Sequence, residues 1–339
     1  MKYDVNIDLA NAAKQEMAEH LNRNDGRILN RTSDFACLYD FGQVKYKHPV
    51  LVLKTEEPGS KQLIAAKHDR IEGVCFDMIN HLVNDCIVMG ATPLTVQDAV
   101  ICGKLDKPIV NRIVKAISQA CAHNGCLLTG GETSEQPGVI PDGAYVLTSS
   151  IVGVVEKEHI IDGSGIIEGD VVIGLASNGV HTNGYTLIRK LMEQKPAILD
   201  EDVAGESFID AILKPHVTYY PALKNLFGAK SPLKGMAHIT GGGIRENLNR
   251  VLPKTVNAVI DLAAYDVTPV FKVIKAYGEV SNSDMLRTFN MGVGLAVVAA
   301  PKDAGNVIKH ITANGIAAKK IGVITKGNGE VICRGEFDW

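Results

Sequence analysis

Glycines, carboxylates and hydroxyls are grouped in the stretch from Leu127 to Gly138, which includes Gly130, Gly131, Glu132 and Thr133. Glycine lets a backbone approach a ligand closely, and consecutive N–H groups can surround an anion. Carboxylates beside an anion site suggest that a divalent cation bridges the two. The stretch therefore predicts a loop that binds a magnesium phosphate. A solvated turn is the alternative, because glycine, proline and serine are ordinary turn residues.

Short polar side chains recur at helical spacing in the segment from Phe76 to Met89, which we predict to be a helix. Asp77, His81, Asn84 and Asp85 are spaced i, i+4, i+7 and i+8, so they share one face. Apolar residues occupy the other face. The polar side chains suit metal binding or hydrogen bonding, and the alternative is the solvent-exposed face of an amphipathic helix.

Two more glycine-rich turns could bind anions. The first runs from Asn178 to Tyr185, between a predicted strand and a predicted helix, and contains His181. The second runs from Thr240 to Gly243 and precedes a helix predicted over residues 244–250. A helix N-terminus attracts anions. For each turn a glycine cap is the alternative, and a histidine such as His181 or His238, taken alone, is more often structural than functional.

Composition excludes several classes of protein. The 339 residues are 46% hydrophobic and 22% charged, and the net charge of −3 gives no basic field for nucleic acid. No apolar run is long enough for a transmembrane helix. The seven cysteines contain no Cys-x-x-Cys pair, which favours reduced thiols in a cytoplasmic protein over a zinc site.

Predicted strands and helices alternate, which indicates an α/β or α+β fold in both halves. We predict strands over residues 49–54, 145–155, 170–177, 256–262, 293–299, 318–325 and 331–334. Helices are predicted over 9–21, 76–89, 108–123, 185–191, 244–250, 269–277 and 302–314. A turn-rich segment ends near Gly165, so we expect one domain over 1–165 and a second over 166–339.

Several motifs, in unbroken order from residue 49 to the C-terminus, resemble the phosphoribosylformylglycinamidine cyclo-ligase (aminoimidazole ribonucleotide synthetase) family. The matching stretches are Val83–Asp85, Gly130–Gly138, Gly153–Lys157, Ile160–Gly163, Ser177–Tyr185, His238–Gly243 and Arg287–Gly294. Single motifs also occur in selenophosphate synthetase, thiamine-monophosphate kinase, a hydrogenase maturation factor and formylglycinamidine synthase. The ordered set is specific to the cyclo-ligase.

The resemblance implies a fold and an activity. An N-terminal domain would contribute its sheet to a barrel shared across a homodimer, and a C-terminal α/β domain would accompany it. The family uses ATP with Mg²⁺ to activate the formyl amide oxygen of formylglycinamidine ribonucleotide. An internal nitrogen then attacks, phosphate leaves and the imidazole ring closes. The partners implied are this small-molecule substrate, ATP and a second copy of the chain, with no nucleic acid or membrane.

The resemblance also implies site residues. The metal positions fall on Asp85 and Glu132, with Glu56 and Asp77 as further candidates. The positions for ATP and phosphate fall on Lys61, Gly130, Gly131, Thr133, Gly241, Gly242, Gly243 and Arg287. The substrate-facing, catalytic positions fall on His181, Asn183 and Asn290.

The sequence departs from the family in one turn. Glu56-Glu57-Pro58-Gly59-Ser60-Lys61 stands where the family has Asp-Gly-Val-Gly-Thr-Lys. Glu56 keeps a carboxylate, whereas Glu57 removes the freedom that glycine gives a tight turn. A catalytically weak paralogue that binds nucleotide or a purine intermediate, as a sensing or scaffold subunit, is therefore an alternative. Another ATP-dependent phosphotransferase of the superfamily is a third.

Overall fold

The structure is a computed structural model that describes residues 16, 18–21, 25–30, 34–43 and 45–339. The helix predicted over 9–21 lies mostly outside these residues. The chain forms two compact units. The first consists of residues 1–58, 62–86 and 92–157, and the second of 59–61, 87–91 and 158–339.

The first unit is built on a four-stranded sheet with two long helices. Its elements in chain order are β1 (Pro49–Glu56), α1 (Lys61–Lys67), α2 (Ile71–Ile87), β2 (Thr92–Cys102), α3 (Lys107–His123), β3 (Leu127–Glu135) and β4 (Tyr145–Glu156). The strand order is β1-β4-β2-β3; β2 pairs with β3 in parallel, and β4 is antiparallel to both of its neighbours. Asp106 caps α3 by accepting a hydrogen bond from the Ile109 N–H, as a short acidic side chain can.

One face of this sheet is covered by helices, and the other is exposed. Helices α2 and α3 contribute the buried residues of one face, such as Met78 and Ile117, both 0% exposed. On the other face β1 presents Leu51 and Leu53, whose exposed fractions are 54% and 69%. Because side chains alternate along a strand, β1 directs Lys54 and Glu56 toward the helices.

The second unit has a six-stranded mixed sheet. Its strands are β5 (Val171–Ala176), β6 (Leu233–His238), β7 (Val256–Asp261), β8 (Val293–Ala299), β9 (Ala318–Lys326) and β10 (Val331–Arg334). Their order is β10-β7-β9-β5-β8-β6. Every residue of β8 is buried, since both faces of this interior strand are covered.

Seven helices accompany this sheet. They are α4 (Tyr185–Gln194), α5 (Phe208–Leu213), α6 (Tyr220–Leu223), α7 (Gly243–Leu248), α8 (Pro269–Gly278), α9 (Asn282–Thr288) and α10 (Pro301–Ala313). No helix among the described residues is both long and apolar enough to cross a bilayer.

The predicted fold class and most predicted elements are confirmed, but one central prediction is wrong. The stretch around Gly130 to Glu135 is not a loop; it is the second half of strand β3, paired with β2. Strand β2 was not predicted at all. Its hydrogen bonds hold β3 extended despite two glycines, because strand formation depends on neighbours more than on intrinsic preference.

Candidate functional site

The polar face of α2 is buried. Asp77 and Asn84 are 0% exposed and His81 is 7% exposed. The alternative that this face is ordinary solvated helix surface is therefore wrong. Burying a carboxylate, an imidazole and an amide costs free energy unless each group forms a hydrogen bond or an ion pair.

Two carboxylates of the first unit meet a lysine and a histidine where β1 ends. The Lys54 Nζ lies 3.2 Å from Glu56 Oε1 and 3.1 Å from Asp85 Oδ2. The His81 Nε2 lies 3.5 Å from Glu56 Oε1 and 3.6 Å from Asp85 Oδ2. Burial acts to lower the pKa of Lys54, but Asp85 and Glu56 outweigh it, so the pKa is raised. The strand and the helix thus concentrate negative charge on one cation.

This arrangement fits an oxygen-binding divalent ion. Glu56 and Asp85 are hard carboxylate ligands of the kind that Mg²⁺ prefers. They already hold a positive charge, the Lys54 ammonium, which would have to move aside for a metal ion. Lys54 was not predicted as a site residue, although its position two residues before Glu56 on a strand places both side chains on one face.

Glu132 lies elsewhere in the first unit. Its side chain is exposed, and its Oε1 accepts a hydrogen bond of 2.9 Å from the Thr133 N–H. Gly130 and Gly131 precede it in β3. Glu56, Ser149 and Gly131 lie in one row across the sheet, and Glu132, one residue on, points to the opposite face. Within one chain, Glu132 is therefore not brought together with Asp85.

Asp98 on β2 is a carboxylate that the sequence analysis missed. It pairs with Ser149 on one side and Gly131 on the other. A Cβ on Gly131 would lie 2.0 Å from Asp98 Oδ1, so the carboxyl packs directly on the glycine backbone. The residue is half-buried, and desolvation raises the pKa of its carboxyl to about 7. The sequence feature that could have identified Asp98 is its spacing: an acid stands two residues from each of Val96 and Val100, on the same buried face of the strand.

The raised pKa of Asp98 predicts a pH-dependent stability. The unfolded carboxyl loses its proton near pH 4, whereas the folded one keeps it to about pH 7. Stability from this group is therefore present below pH 4 and is lost as pH rises to about 7. As pH rises from 5 to 8, the free energy of unfolding of Asp98→Asn, measured in urea, should increase by about 2–3 kcal/mol relative to that of wild type. A constant difference between the two proteins would contradict the prediction.

In the second unit, His181 follows β5 in a strained conformation. Its φ is +62°, a left-handed value that non-glycine residues adopt rarely. The Nζ of Lys61 donates to the carbonyl oxygens of His181, at 3.1 Å, and Lys214, at 2.7 Å. The same ammonium lies 5.7 Å from the ring centroid of Tyr185. Lys61 is 0% exposed, so the structure places it as a clamp on the His181 backbone. Its predicted phosphate contact stays a prediction.

A second histidine stacks on the His181 ring, and a third contacts the second. His216 stacks on His181 with ring centroids 3.8 Å apart and an interplanar angle of 24°. The Nε2 atoms of His216 and His238 are 2.9 Å apart. All three rings are buried. A Cβ on Gly294 of β8 would lie 2.0 Å from Tyr219 Oη and 2.7 Å from His181 Cε1, so only glycine leaves room for both side chains.

The glycine loop from Thr240 to Gly243 is ordered by one amide. Asn247 Nδ2 donates to the carbonyl oxygens of Gly241, at 3.1 Å, and Gly243, at 2.8 Å. Gly243 has a φ of +60°, and a Cβ there would lie 1.9 Å from the Leu286 carbonyl oxygen. Glycine is therefore required where α7 meets α9. Asn183 Oδ1 lies 3.3 Å from the position of a Cβ on Gly241, which brings this predicted residue to the loop.

Arg287 and Asn290 lie in the same unit but differ in exposure. The Arg287 side chain is 78% exposed, and its Nε lies 3.3 Å from Glu246 Oε1. The Arg287 carbonyl accepts from the N–H of Gly242, which ties α9 to the glycine loop. Asn290 is buried; its Oδ1 accepts from the Ser177 hydroxyl and its Nδ2 donates to the Gly179 carbonyl. Asn290 thus holds the loop that leads to His181, and its predicted catalytic role stays a prediction.

The cysteines are all free, and most are buried. Desolvation raises the pKa of Cys75, and it raises that of Cys86 to about 12. Such thiols stay protonated and are poor nucleophiles. Cys75 and Cys86 are therefore core residues rather than candidate nucleophiles.

Comparisons with known proteins point to one family. The model of the AIR synthase related protein N-terminal domain matches residues 34–155, and that of the C-terminal domain matches 168–334. A phosphoribosylformylglycinamidine cyclo-ligase of Burkholderia multivorans is 42% identical over 322 residues, covering 94% of this chain and 91% of the relative. One of Cupriavidus metallidurans is 44% identical over 290 residues, covering 86% and 82%.

Solved structures share the fold at much lower identity. Thiamine-monophosphate kinase from Stenotrophomonas maltophilia superposes with a TM-score of 0.68 at 17% identity, covering 97% of this chain and 96% of that one. The hydrogenase maturation protein HypE in complex with ATP gives a TM-score of 0.68 at 14% identity, covering 96% and 90%. At these identities the likeness concerns the fold alone.

Proposed function

Because this chain belongs to the AIR synthase related protein family, we propose that it is a phosphoribosylformylglycinamidine cyclo-ligase. It closes the ring of formylglycinamidine ribonucleotide to give aminoimidazole ribonucleotide, with release of ADP and phosphate, in purine biosynthesis. The observation that carries the proposal is the identity of 42% to a named cyclo-ligase over 94% of the chain. No observation favours a sensing or scaffold paralogue or a different phosphotransferase.

The first unit supplies the metal and nucleotide groups in this proposal. Glu56 and Asp85 would hold Mg²⁺ in place of the Lys54 ammonium, and Asp77 would support them from the buried face of α2. Bound Mg-ATP supplies the phosphoryl group that turns a poor oxygen leaving group into phosphate. Gly130, Gly131 and Thr133 approach the nucleotide with their backbone. Lys61, which the family implies as a further phosphate contact, is a residue of the second unit.

The second unit supplies the substrate groups. Gly241, Gly242 and Gly243, with exposed Arg287, bind the anionic part of the ribonucleotide, since glycine backbones and guanidinium groups suit phosphate. His181 and Asn183 face the reacting amide, where a held imidazole can move a proton during attack by the ring nitrogen. Asn290 orders their loop. We thus assign residues 1–165 to a domain that binds ATP and metal and forms the dimer, and residues 166–339 to a C-terminal α/β domain. The location is the cytoplasm.

A colorimetric assay of the aminoimidazole product tests the proposed activity. Purified protein with Mg-ATP and formylglycinamidine ribonucleotide should form product, and Asp85→Asn should form far less. Wild type that binds ATP but forms no more product than Asp85→Asn would refute the enzyme and favour the sensing paralogue.

Asp85→Asn should weaken Mg-ATP binding about tenfold or more, since a carboxylate that holds the metal loses its charge. The melting temperature should fall by only a few degrees, because half-exposed ion pairs contribute about 1 kcal/mol or less. Calorimetric titration and thermal melting measure the two effects. Asp142→Asn, an exposed site of the same unit, is the control. Equal ATP affinity in Asp85→Asn and wild type would remove Asp85 from the metal site.

A homodimer is also part of the proposal. The open face of the first sheet exposes Leu51 and Leu53, and apolar side chains grouped on a sheet face mark an interaction surface. A second copy packed on this face would close a barrel. Glu132 points to that same face, so in the dimer it lies beside the partner chain.

Leu53→Lys should raise the dimer dissociation constant about 100-fold or more, because an ammonium would be buried in an apolar interface. Sedimentation at micromolar concentration should then detect monomers. Leu63→Lys is the matched control, since Leu63 is 50% exposed in the same unit but lies on α1 rather than on the sheet. A Leu53→Lys protein with the mass of the wild type would contradict the open-face interface.

A further inference from the structure

His216 is a buried histidine of the second unit to which the proposed mechanism gives no role. It lies in the segment between α5 and α6 and is only 1% exposed. One face of its ring stacks on His181, and one edge meets His238. His216 is therefore the physical link between the candidate catalytic imidazole and a strand of the sheet, since His238 is the last residue of β6.

The edge contact fixes the protonation pattern of two rings. The Nε2 atoms of His216 and His238 are 2.9 Å apart, a hydrogen-bond distance that holds one proton between them. A neutral imidazole donates from one nitrogen and accepts at the other. One ring therefore donates from Nε2 while the other accepts there. Because the N–H and the accepting lone pair each lie in their ring plane, this bond limits how far the His216 ring can tilt.

The face contact extends that limit to His181. Stacked rings 3.8 Å apart and 24° from parallel leave little room for the His181 ring to tilt. The backbone of Gly294 also lies close to this ring, since a Cβ added there would lie 2.7 Å from His181 Cε1. An apolar ring at 216 would fill the same volume, but it would lose the bond to His238 that helps to orient it. A buried polar pair whose hydrogen bond is satisfied makes its surroundings rigid and specifies one geometry.

We propose that His216 is a positioning residue for His181: it stacks on the imidazole and is itself oriented by the shared proton with His238. The inference rests on the proposed function for the statement that His181 takes part in the reaction. It assigns His216 no contact with substrate or nucleotide. Its removal should therefore slow the chemical step and leave ground-state binding intact.

Two variants separate the two contacts. His216→Phe keeps a flat ring for stacking but loses the bond to His238, and His216→Gln keeps a polar group but loses the ring. Each should lower kcat about tenfold or more, since small misplacements of a catalytic group are costly. The KM for ATP and for the ribonucleotide should change by less than about twofold. His123→Phe, on the exposed end of α3, is the control.

A double-mutant cycle tests whether His216 acts through His181. In a His181→Ala background, His216→Phe should cause no further loss of kcat, because the group that it positions is gone. An equal loss in both backgrounds overturns the inference. So does a kcat within about twofold of wild type for both single variants.

A readout without turnover separates this inference from the proposed function. In protein labelled at histidine Cε1, the His181 signal is assigned by its loss in His181→Ala. His216→Phe and His216→Gln should each shift that signal, whereas His123→Phe should not. A wild type without ligase activity but with these shifts refutes the proposed function and keeps the positioning role. An active wild type whose His181 signal is unchanged in both variants refutes the positioning role.

Discussion

Lys61→Met should destabilise the second unit by about 2–4 kcal/mol and lower kcat about 100-fold. Methionine matches the length of the lysine stem but cannot donate a hydrogen bond. The carbonyl oxygens of His181 and Lys214 would then lose a charged donor while staying buried. Removing the buried ammonium also removes the free-energy cost of its desolvation. We expect the cost of leaving the two carbonyl oxygens without a donor to be larger, because a lysine that is 0% exposed is stable only when such acceptors compensate its burial.

The loss of rate has a separate cause. His181 adopts a φ of +62°, which is unfavourable for a residue with a Cβ. The bond from Lys61 to its carbonyl helps hold that conformation. Without the bond, the backbone can relax and move the imidazole away from its place.

Stability and kinetics together check this expectation. Trp339 is the only tryptophan of the chain and packs on Phe337 and Lys275, so its fluorescence in urea reports on the second unit. Lys67→Met, at the exposed end of α1, is the matched control. If Lys61→Met leaves stability unchanged and raises only the KM for ATP, Lys61 is a phosphate ligand and not a clamp.

Gly294→Ala should cost about 3 kcal/mol in the second unit and lower kcat at least tenfold. The new Cβ would lie 2.0 Å from Tyr219 Oη and 2.7 Å from His181 Cε1. Both side chains are buried, and Tyr219 is bound through its hydroxyl to the Ala176 carbonyl. Neither can withdraw without breaking its own contacts. Tryptophan fluorescence and the product assay measure the two effects.

A second substitution separates the two clashes. Tyr219→Phe removes Oη, and the nearest remaining atom of that ring, Cζ, would lie 3.1 Å from the new Cβ. In the double variant stability should recover in part, whereas kcat should stay low because the clash with His181 persists. Gly305→Ala in α10 is the control, since a Cβ there meets nothing within 4 Å and alanine favours a helix. Full recovery of kcat in the double variant would show that His181 is not displaced.

Most secondary structure could be predicted from the sequence because its signals are local. The apolar run at Val293–Ala299 predicts a buried strand, and Pro108 predicts the start of α3. Strand β3 could not be predicted this way. Its glycines and acids are typical of a turn, and the bonds that hold it extended come from β2, more than 25 residues earlier.

In the candidate site, too, some features follow from the sequence and others only from the tertiary structure. The sequence determined the residue types: a carboxylate-bearing helix face, three glycine-rich stretches and a histidine after a strand. Only the tertiary structure decided their partners. Lys54 joins Glu56 to Asp85, Lys61 clamps the backbone of His181, and His216 stacks on its ring. These contacts join residues distant in sequence, and packing and burial, which local patterns do not encode, determine which of them form.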